Sequence, residues 1–244
     1  MDETLYRKFF EVEKRHWWFV ARSRIVLDLI HQRLRIPAGA AVLDIGCGTG
    51  AILQALSQRY NAIGLDQSPL AIQLCHQQGI KNALLGGFDV LPDPNQRFDL
   101  IALLDVIEHL DDDLGLLKAC RERLSPRGSV IVTVPAWPSL WSKHDDLNHH
   151  RRRYRRQQLR DVLQCAGFEV PWISYYNTIL FPLALMHRLL ERLRPDRPDR
   201  ALEIPSQGLN WVLTAVFAAE RRWLRFGRFP AGLSLIAVGR KPLD

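Results

Sequence analysis

VLDIGCGTG, residues 42–50, is an apolar run that gives way to glycines at every second position, Gly46, Gly48 and Gly50. Val42, Leu43 and Ile45 read as a short buried strand, and the residues after Thr49 follow a helical pattern. The glycines therefore occupy a strand-to-helix turn. Lacking a Cβ, they permit the tight turn and let the backbone approach a ligand closely, while the first turn of the helix offers unpaired N–H groups. Outward from this turn the rhythm repeats. AVLDIG (41–46), NAIGLD (61–66), a short run near NALLG, FDLIALLD (98–105) and GSVIVTVPA (128–136) read as strands. TGAILQALSQRY, SPLAIQLCHQQG and DDDLGLLKACRERL read as the helices between them, the second opened by Ser68 as cap and Pro69 at its first position. Such alternation predicts an α/β fold: a doubly wound, mostly parallel seven-stranded sheet with helices on both faces.

The flanks differ in character. Residues 2–36 read as two helices, with Ile25, Val26, Leu29, Ile30 and Leu34 at helical spacing, ended by Pro37-Ala38-Gly39. Beyond β-strand five, residues 136–155 form a polar loop with tryptophans, followed by a helix QQLRDVLQCAG and a strand near FEVPWISYY. Two strongly apolar helical stretches follow, TILFPLALMHRLLERL and LNWVLTAVFAAERRWLRF, separated by the proline-rich RPDRPDRALEIPSQG; LSLIAVGRK closes the sheet. The expected division is an N-terminal helical cap (1–36), a core (37–176), a helical insertion (177–231) before the last strand, and that strand (232–244).

Of the 244 residues, 47% are hydrophobic and 24% charged, as in an ordinary folded domain. The net charge of +7 points to an anionic partner and says nothing of the fold. Cys47, Cys75, Cys120 and Cys165 stand far apart, so neither paired metal ligands nor a disulfide framework is expected. The segment MDETLYRKFFEVEKRHWWF is charged throughout and lacks a signal peptide's apolar stretch. No window reaches the roughly 18–20 apolar residues of a spanning helix. A cytoplasmic protein is expected.

Asp66 lies at the end of the second strand, where a carboxylate can accept both hydroxyls of a ribose; this suits a dinucleotide, for which Gly46-x-Gly48-x-x-Ala51 is a loose match. Asp44, two residues before the glycines, suits it badly, because a negative charge gains a pyrophosphate site nothing. D-x-G-x-G-x-G instead resembles the first motif of class I S-adenosylmethionine methyltransferases, in which the acidic residue helps hold the cationic methionine end of the cofactor. FDLIALLDVIEHL (98–110) is similar to the fourth-strand region of the type 11 branch. RLSPRGSVIVTVP is similar to its L-x-P-G-G approach to strand five, with Arg127 in place of the first glycine. HWWF (16–19) and WSKHDDLNHHRRRYRRQQLRDVLQCAGFEV resemble a bacterial subfamily with an HD…H-x-RRY…L…GF pattern. The resemblance implies a Rossmann-like methyltransferase fold and S-adenosylmethionine as cofactor, held by Asp44, Gly46, Cys47, Gly48, Gly50, Asp66, Gln67, Phe88 and Asp105. Gly87 stands where the branch often has an adenine-binding aspartate; Asp89 or the backbone of Phe88 is left to fill that place.

The function expected is methyl transfer, O-methylation first, to a small or lipid-linked anionic acceptor. A non-catalytic, membrane-associated cofactor-binding protein and a nicotinamide-dependent oxidoreductase stand as alternatives. His109 and His150 are the candidate bases for an acceptor hydroxyl. NHHRRRYRR (148–156) packs five arginines and two histidines into nine positions on the loop after strand five. His144, Asp145, Arg152, Arg153 and Tyr154 are therefore expected to meet the acceptor, the arginine pair as an anion clamp. With no nucleic-acid-binding motif and no series of stacking aromatics, no nucleic-acid partner is expected. The apolar stretches 178–193 and 207–226 end in arginines: Arg188, Arg192 and Arg194, then Arg221, Arg222 and Arg225. They read as a lid, as the face of a homodimer, or as a peripheral contact with the inner membrane face, Trp223 at the interface. No metal ligand set is expected.

Overall fold

A computed structural model describes residues 3–186 and 202–243. Strands β1 (Ala41–Ile45), β2 (Asn61–Asp66), β3 (Ala83–Leu85), β4 (Phe98–Leu104), β5 (Leu124–Pro135), β6 (Glu169–Tyr176) and β7 (Ser234–Arg240) form one seven-stranded sheet in the order β3-β2-β1-β4-β5-β7-β6. The first five run parallel, and β7 pairs antiparallel with both β5 and β6. The strand order reverses between β1 and β4, which opens a crevice at their carboxyl ends.

Near-continuous apolar strands follow from burial on both faces. In β4, Leu100, Ala102 and Leu104 enter one core while Ile101 and Leu103 enter the other, as successive side chains of a strand must. Helices α2 (Trp17–Asp28), α3 (Ala51–Ser57) and α4 (Pro69–Gln77) cover the first core through Ile25, Leu53 and Ile72. Helices α5 (Asp113–Arg123) and α7 (Arg156–Cys165) cover the second through Leu117, Leu159 and Leu163. Ser68 caps α4 as its sequence requires, accepting from Ala71 N–H at 3.3 Å. The 136–155 segment holds a short helix α6 (Lys143–Leu147), closed by a capping box between Ser142 and Asp145.

The N-terminal and C-terminal helices are not separate layers. Helix α8 (Gln207–Leu224) packs along α2, with Trp17 edge-on to the buried Phe217 at 6.0 Å. Asn210 accepts from Trp17 N–H at 2.9 Å and donates to the Arg15 carbonyl at 2.8 Å. Arg33 donates to the carbonyls of Leu224 (3.3 Å) and Arg225 (2.7 Å), which the helix end leaves unpaired, and Arg225 pairs with Asp28. Of the stretch expected to be helical over 178–193, residues 179–180 form a turn and 181–186 are helical; residues 187–193, with Arg188 and Arg192, and Arg194 beyond them lie outside the described residues. Its start is held by Glu220 of α8, which accepts from the N–H groups of Thr178 (2.6 Å) and Ile179 (2.8 Å).

Phe217→Ala should lower unfolding stability by about 3–5 kcal/mol, because it empties the contact between α2 and α8. Urea unfolding measures this; a change near zero would mean that α8 does not belong to the core.

Candidate functional site

A cavity of about 1910 Å³ lies at the carboxyl ends of β1, β2 and β4, walled by the glycine turn, by residues of the N-terminal helices and by the loop after β5. The glycine turn builds its floor. Gly46, Gly48 and Gly50 have φ of 70°, 56° and 91°, in the left-handed region. A Cβ on Gly46 would sit 2.6 Å from Val106 Cγ2, whereas one on Gly48 meets nothing within 4 Å. Gly50 departs from its expected role. It is not part of the cavity wall, and a Cβ there would strike Ile80 (2.7 Å) and Cys75 (2.9 Å), so it serves the packing of α3 on α4. Asp66 accepts from Gly48 N–H and Ser68 N–H, both at 2.9 Å, and from Tyr6 Oη–H at 3.5 Å. Its carboxylate fixes the turn and keeps acceptor capacity toward the cavity. Cys47, Gln67, Gly87 and Phe88 line the same wall; Asp89 does not, which leaves the backbone at Phe88 as the adenine-side candidate.

Charge at this end is unbalanced. Asp44 is buried with Oδ2 unpartnered among the described residues, and burial pushes its pKa up to about 7, the charge of Arg22 opposing and that of Asp66 reinforcing the shift. Glu13 accepts from Thr49 Oγ1–H at 2.6 Å and leaves Oε1 without a described partner; burial raises its pKa too. Arg22 crosses from α2 to pair with Asp105 at 2.6 Å, donates to Thr133 at 3.2 Å and stacks 5.3 Å from the Trp18 ring. Asp105 itself has φ 58°, a strained conformation for a non-glycine residue beside a site. Glu108 is fully buried with both carboxylate oxygens unpartnered among the described residues, and burial, then the Asp105 charge, raises its pKa well above the usual carboxylate range.

The acceptor-side loop separates the residues grouped there by sequence. Asp145, fully buried, accepts from Ser142 N–H (2.8 Å), from His150 Nδ1–H (2.9 Å) and from Arg153 Nε–H (2.7 Å). Burial alone would raise its pKa, but the hydrogen bonds from His150 and Arg153 win and hold it well below the usual range. The ring of His150 meets that of His109 edge-on at 4.8 Å, and both line the cavity, as do His144 and Arg153. Burial, reinforced by His150, lowers the pKa of His109 to about 4. Asp145, Arg152 and Tyr154 do not line it, against expectation. Arg152 donates to Asp113 (3.3 Å) and to the carbonyls of Leu110 (2.9 Å) and Asp111 (3.0 Å), and Tyr154 donates to Asp113 at 2.5 Å. Arg152 is thus held on Asp113 and Arg153 on Asp145, so the pair does not stand together as one clamp.

Sequence reasoning missed Tyr6, Phe9, Glu13 and His16, all on the cavity wall. Tyr6 and Phe9 stand one turn apart on the first helix (Glu3–Val12), a spacing present in the sequence, whereas Glu13 and His16 lie in the turn that leads into α2. Arg22 and Asn177 had no such signal.

A buried carboxylate oxygen without a partner among the described residues, on each of Asp44 and Glu13, fits a ligand with positive charge and opposes a pyrophosphate. The sulfonium and amine of S-adenosylmethionine meet that requirement, and Asp66 suits its ribose. The fold and this pocket define a class I methyltransferase architecture. The sequence matches the methyltransferase-domain family over residues 18–171, and the chain belongs to it, with S-adenosylmethionine as cofactor. It is 30% identical over 121 residues to a ubiquinone biosynthesis O-methyltransferase of Xylella fastidiosa, covering 47% of this chain and 49% of that protein. The chain spans about half the length of the curated relatives it matches first. Among solved structures it is similar to a chain from the complex of the Haloferax volcanii Trm112 methyltransferase activator with a methyltransferase (TM-score 0.62, 22% identity, 99% of this chain and 96% of that one). It is also similar to a SAM-dependent methyltransferase from Archaeoglobus fulgidus (TM-score 0.55, 19% identity, 89% and 94%).

The Asp44 carboxyl must ionise to hold a cation. Cofactor affinity should therefore rise with pH up to about 7, by at most about tenfold per pH unit, and level off above. Without ligand the sign reverses: stability falls as pH climbs from the ordinary value of 3.8 toward about 7, since the folded form holds the proton more tightly. Calorimetry across this range should find the affinity slope in the natural chain and a flat, weaker response in Asp44→Asn; an equal slope in both would remove Asp44 from the site.

Proposed function

We propose that the chain transfers a methyl group from S-adenosylmethionine to a hydroxyl of a small or lipid-linked anionic acceptor. The pairing of His150, which lines the cavity together with Asp44 and Asp66, with the buried Asp145 behind it carries this reading. An ionised carboxylate only accepts, so His150 donates through Nδ1 and keeps Nε2 as a lone pair for an acceptor proton. The bound cofactor supplies a methyl group already activated on a sulfonium. What the chain adds is position and proton removal. His150 takes the proton, His109 beside it confines the hydroxyl, and Lys143, His144 and Arg153 on the same wall favour a negatively charged acceptor. Relatives named ubiquinone biosynthesis O-methyltransferase support a hydroxyl as the acceptor group. The site residues are those of the sequence reading, less Gly50, Arg152 and Tyr154, with Asp145 supporting His150 from behind the wall, plus Tyr6, Glu13, Arg22 and Glu108. The division into cap (1–36), core (37–176), insertion (177–231) and last strand belongs to the same proposal.

Purified chain supplied with methyl-labelled cofactor and small-molecule or lipid extracts should transfer label. With the acceptor so found, His150→Gln should lower kcat by about 10²–10⁴ with cofactor affinity unchanged. Arg152→Gln should leave the acceptor KM unchanged. Cofactor binding without any transfer would favour a binding protein, and a raised KM in Arg152→Gln would restore the arginine clamp.

No helix among the described residues is long and apolar enough to cross a membrane. The proposal includes peripheral contact with an anionic bilayer. Helix α8 exposes Leu209, Trp211 and Val212, Trp211 by 71%, and Trp223 and Phe226 lie exposed beside Arg221 and Arg222. Sedimentation should show binding to vesicles rich in anionic lipid, lost in Trp211→Ser with Phe226→Ser. A concentration-dependent doubling of mass in light scattering, without vesicle binding, would assign this face to a second copy of the chain.

A further inference from the structure

Glu108, His109 and His150 each offer a ligand atom, and these atoms lie within 4.8 Å of one another. We propose that they form a binding site for a divalent transition-metal ion that opens onto the cavity. Glu108 gives the strongest reason. Its carboxylate is fully buried, lines the cavity, and has neither oxygen hydrogen-bonded among the described residues. A buried carboxylate is ordinarily paired or bound to metal. The nearby guanidinium groups are committed elsewhere, Arg22 to Asp105 and Thr133, Arg153 to Asp145 and the Ala136 carbonyl.

The histidines complete the set. His150 donates Nδ1–H to Asp145 at 2.9 Å, which orients the ring and leaves Nε2 for an ion. A carboxylate behind a ligating histidine is the usual outer support of a metal site. Ion-to-ligand distances of about 2.0–2.2 Å place ligand atoms about 3–4 Å apart, so small side-chain rotations close the cluster. Two imidazoles and one carboxylate favour zinc, manganese, iron or cobalt over calcium or magnesium. Three protein ligands leave coordination positions toward the cavity, the mark of a catalytic rather than a structural ion.

An ion here would bind the acceptor's hydroxyl oxygen and acidify it, the proton passing to water. It would thereby take over the proton-removing task given above to His150, which becomes a ligand. This last role rests on the hydroxyl acceptor proposed above; the site itself does not.

The test uses tag-free, chelator-stripped protein titrated with Co²⁺, followed by visible absorption and calorimetry. One Co²⁺ per chain should bind. Glu108→Gln and, as a second variant, His109→Asn should each lose saturable binding, and Asp145→Asn should weaken it by about 10–100-fold. Cofactor binding in each variant reports that it is folded. Absence of saturable Co²⁺ binding in the natural chain, or binding unchanged in a folded Glu108→Gln, would overturn the site. Label transfer by stripped protein as fast as by Co²⁺-loaded protein overturns the ion's role and leaves the methyltransferase reading standing. Co²⁺ binding with no transfer to any acceptor supports the site and counts against that reading.

Discussion

Carboxylates outnumber their buried counter-charges at the carboxyl edge of the sheet, and the site is organised around that imbalance. Asp44, Asp66, Asp105 and Glu108 come from the ends of β1, β2 and β4, and Glu13 comes from the turn just after the first helix. Among the described residues Arg22 is the guanidinium group that pairs with one of them, Asp105. A buried charge without a partner is expensive, so the chain either holds the proton or takes up a cation. Burial accordingly raises the pKa of both Asp44 and Glu108. The same constraint fixes the architecture, because Arg22 reaches Asp105 only if α2 lies across the strand ends.

Asp145 shows the opposite solution a short distance away. It is as buried as Glu108, yet receives N–H donors from Ser142, His150 and Arg153 and stays ionised. Two carboxylates of like burial thus take different roles according to the donors the backbone brings to them. The satisfied one is scaffold: it closes the cap of α6, seats Arg153 and turns the His150 ring. The basic run at 148–156 is largely architecture for the same reason, since Arg152 and Tyr154 converge on Asp113 at the start of α5.

The parts of the site fixed by local geometry were legible in the sequence. A strand, a glycine turn and a helix place Gly46, Gly48 and Asp66 whatever else surrounds them. Side chains whose role depends on what lies across from them were not. Gly50 looked like its two neighbours in the motif, and only Ile80 and Cys75 opposite it show that it is there for packing. Arg152 and Arg153 look equivalent in sequence until Asp113 and Asp145 draw them apart. Arg127 was read as a departure from a glycine, and its φ of 63° shows that the backbone keeps the left-handed turn which glycine would occupy more easily. The tie between α2 and α8 joins residues about two hundred positions apart, beyond the reach of any periodicity.

That tie shapes the cavity's far end. Trp17 and Trp18 from α2 face Leu209 and Leu213 from α8, so both ends of the chain build one apolar wall. The cavity is therefore graded, from unpaired carboxylates beside the glycine turn, through Glu108, His109 and His150, to this apolar wall. A molecule that fills it must present a polar group to the histidines and an apolar body to the helices, which suits a lipid-linked hydroxyl acceptor in the proposed reading. The apolar end is made by segments that lie largely outside the central strands and the glycine turn. Substitutions there can change which acceptor fits while Asp44 and Asp66 stay untouched, so similarity at the glycine turn says more about the cofactor than about the acceptor.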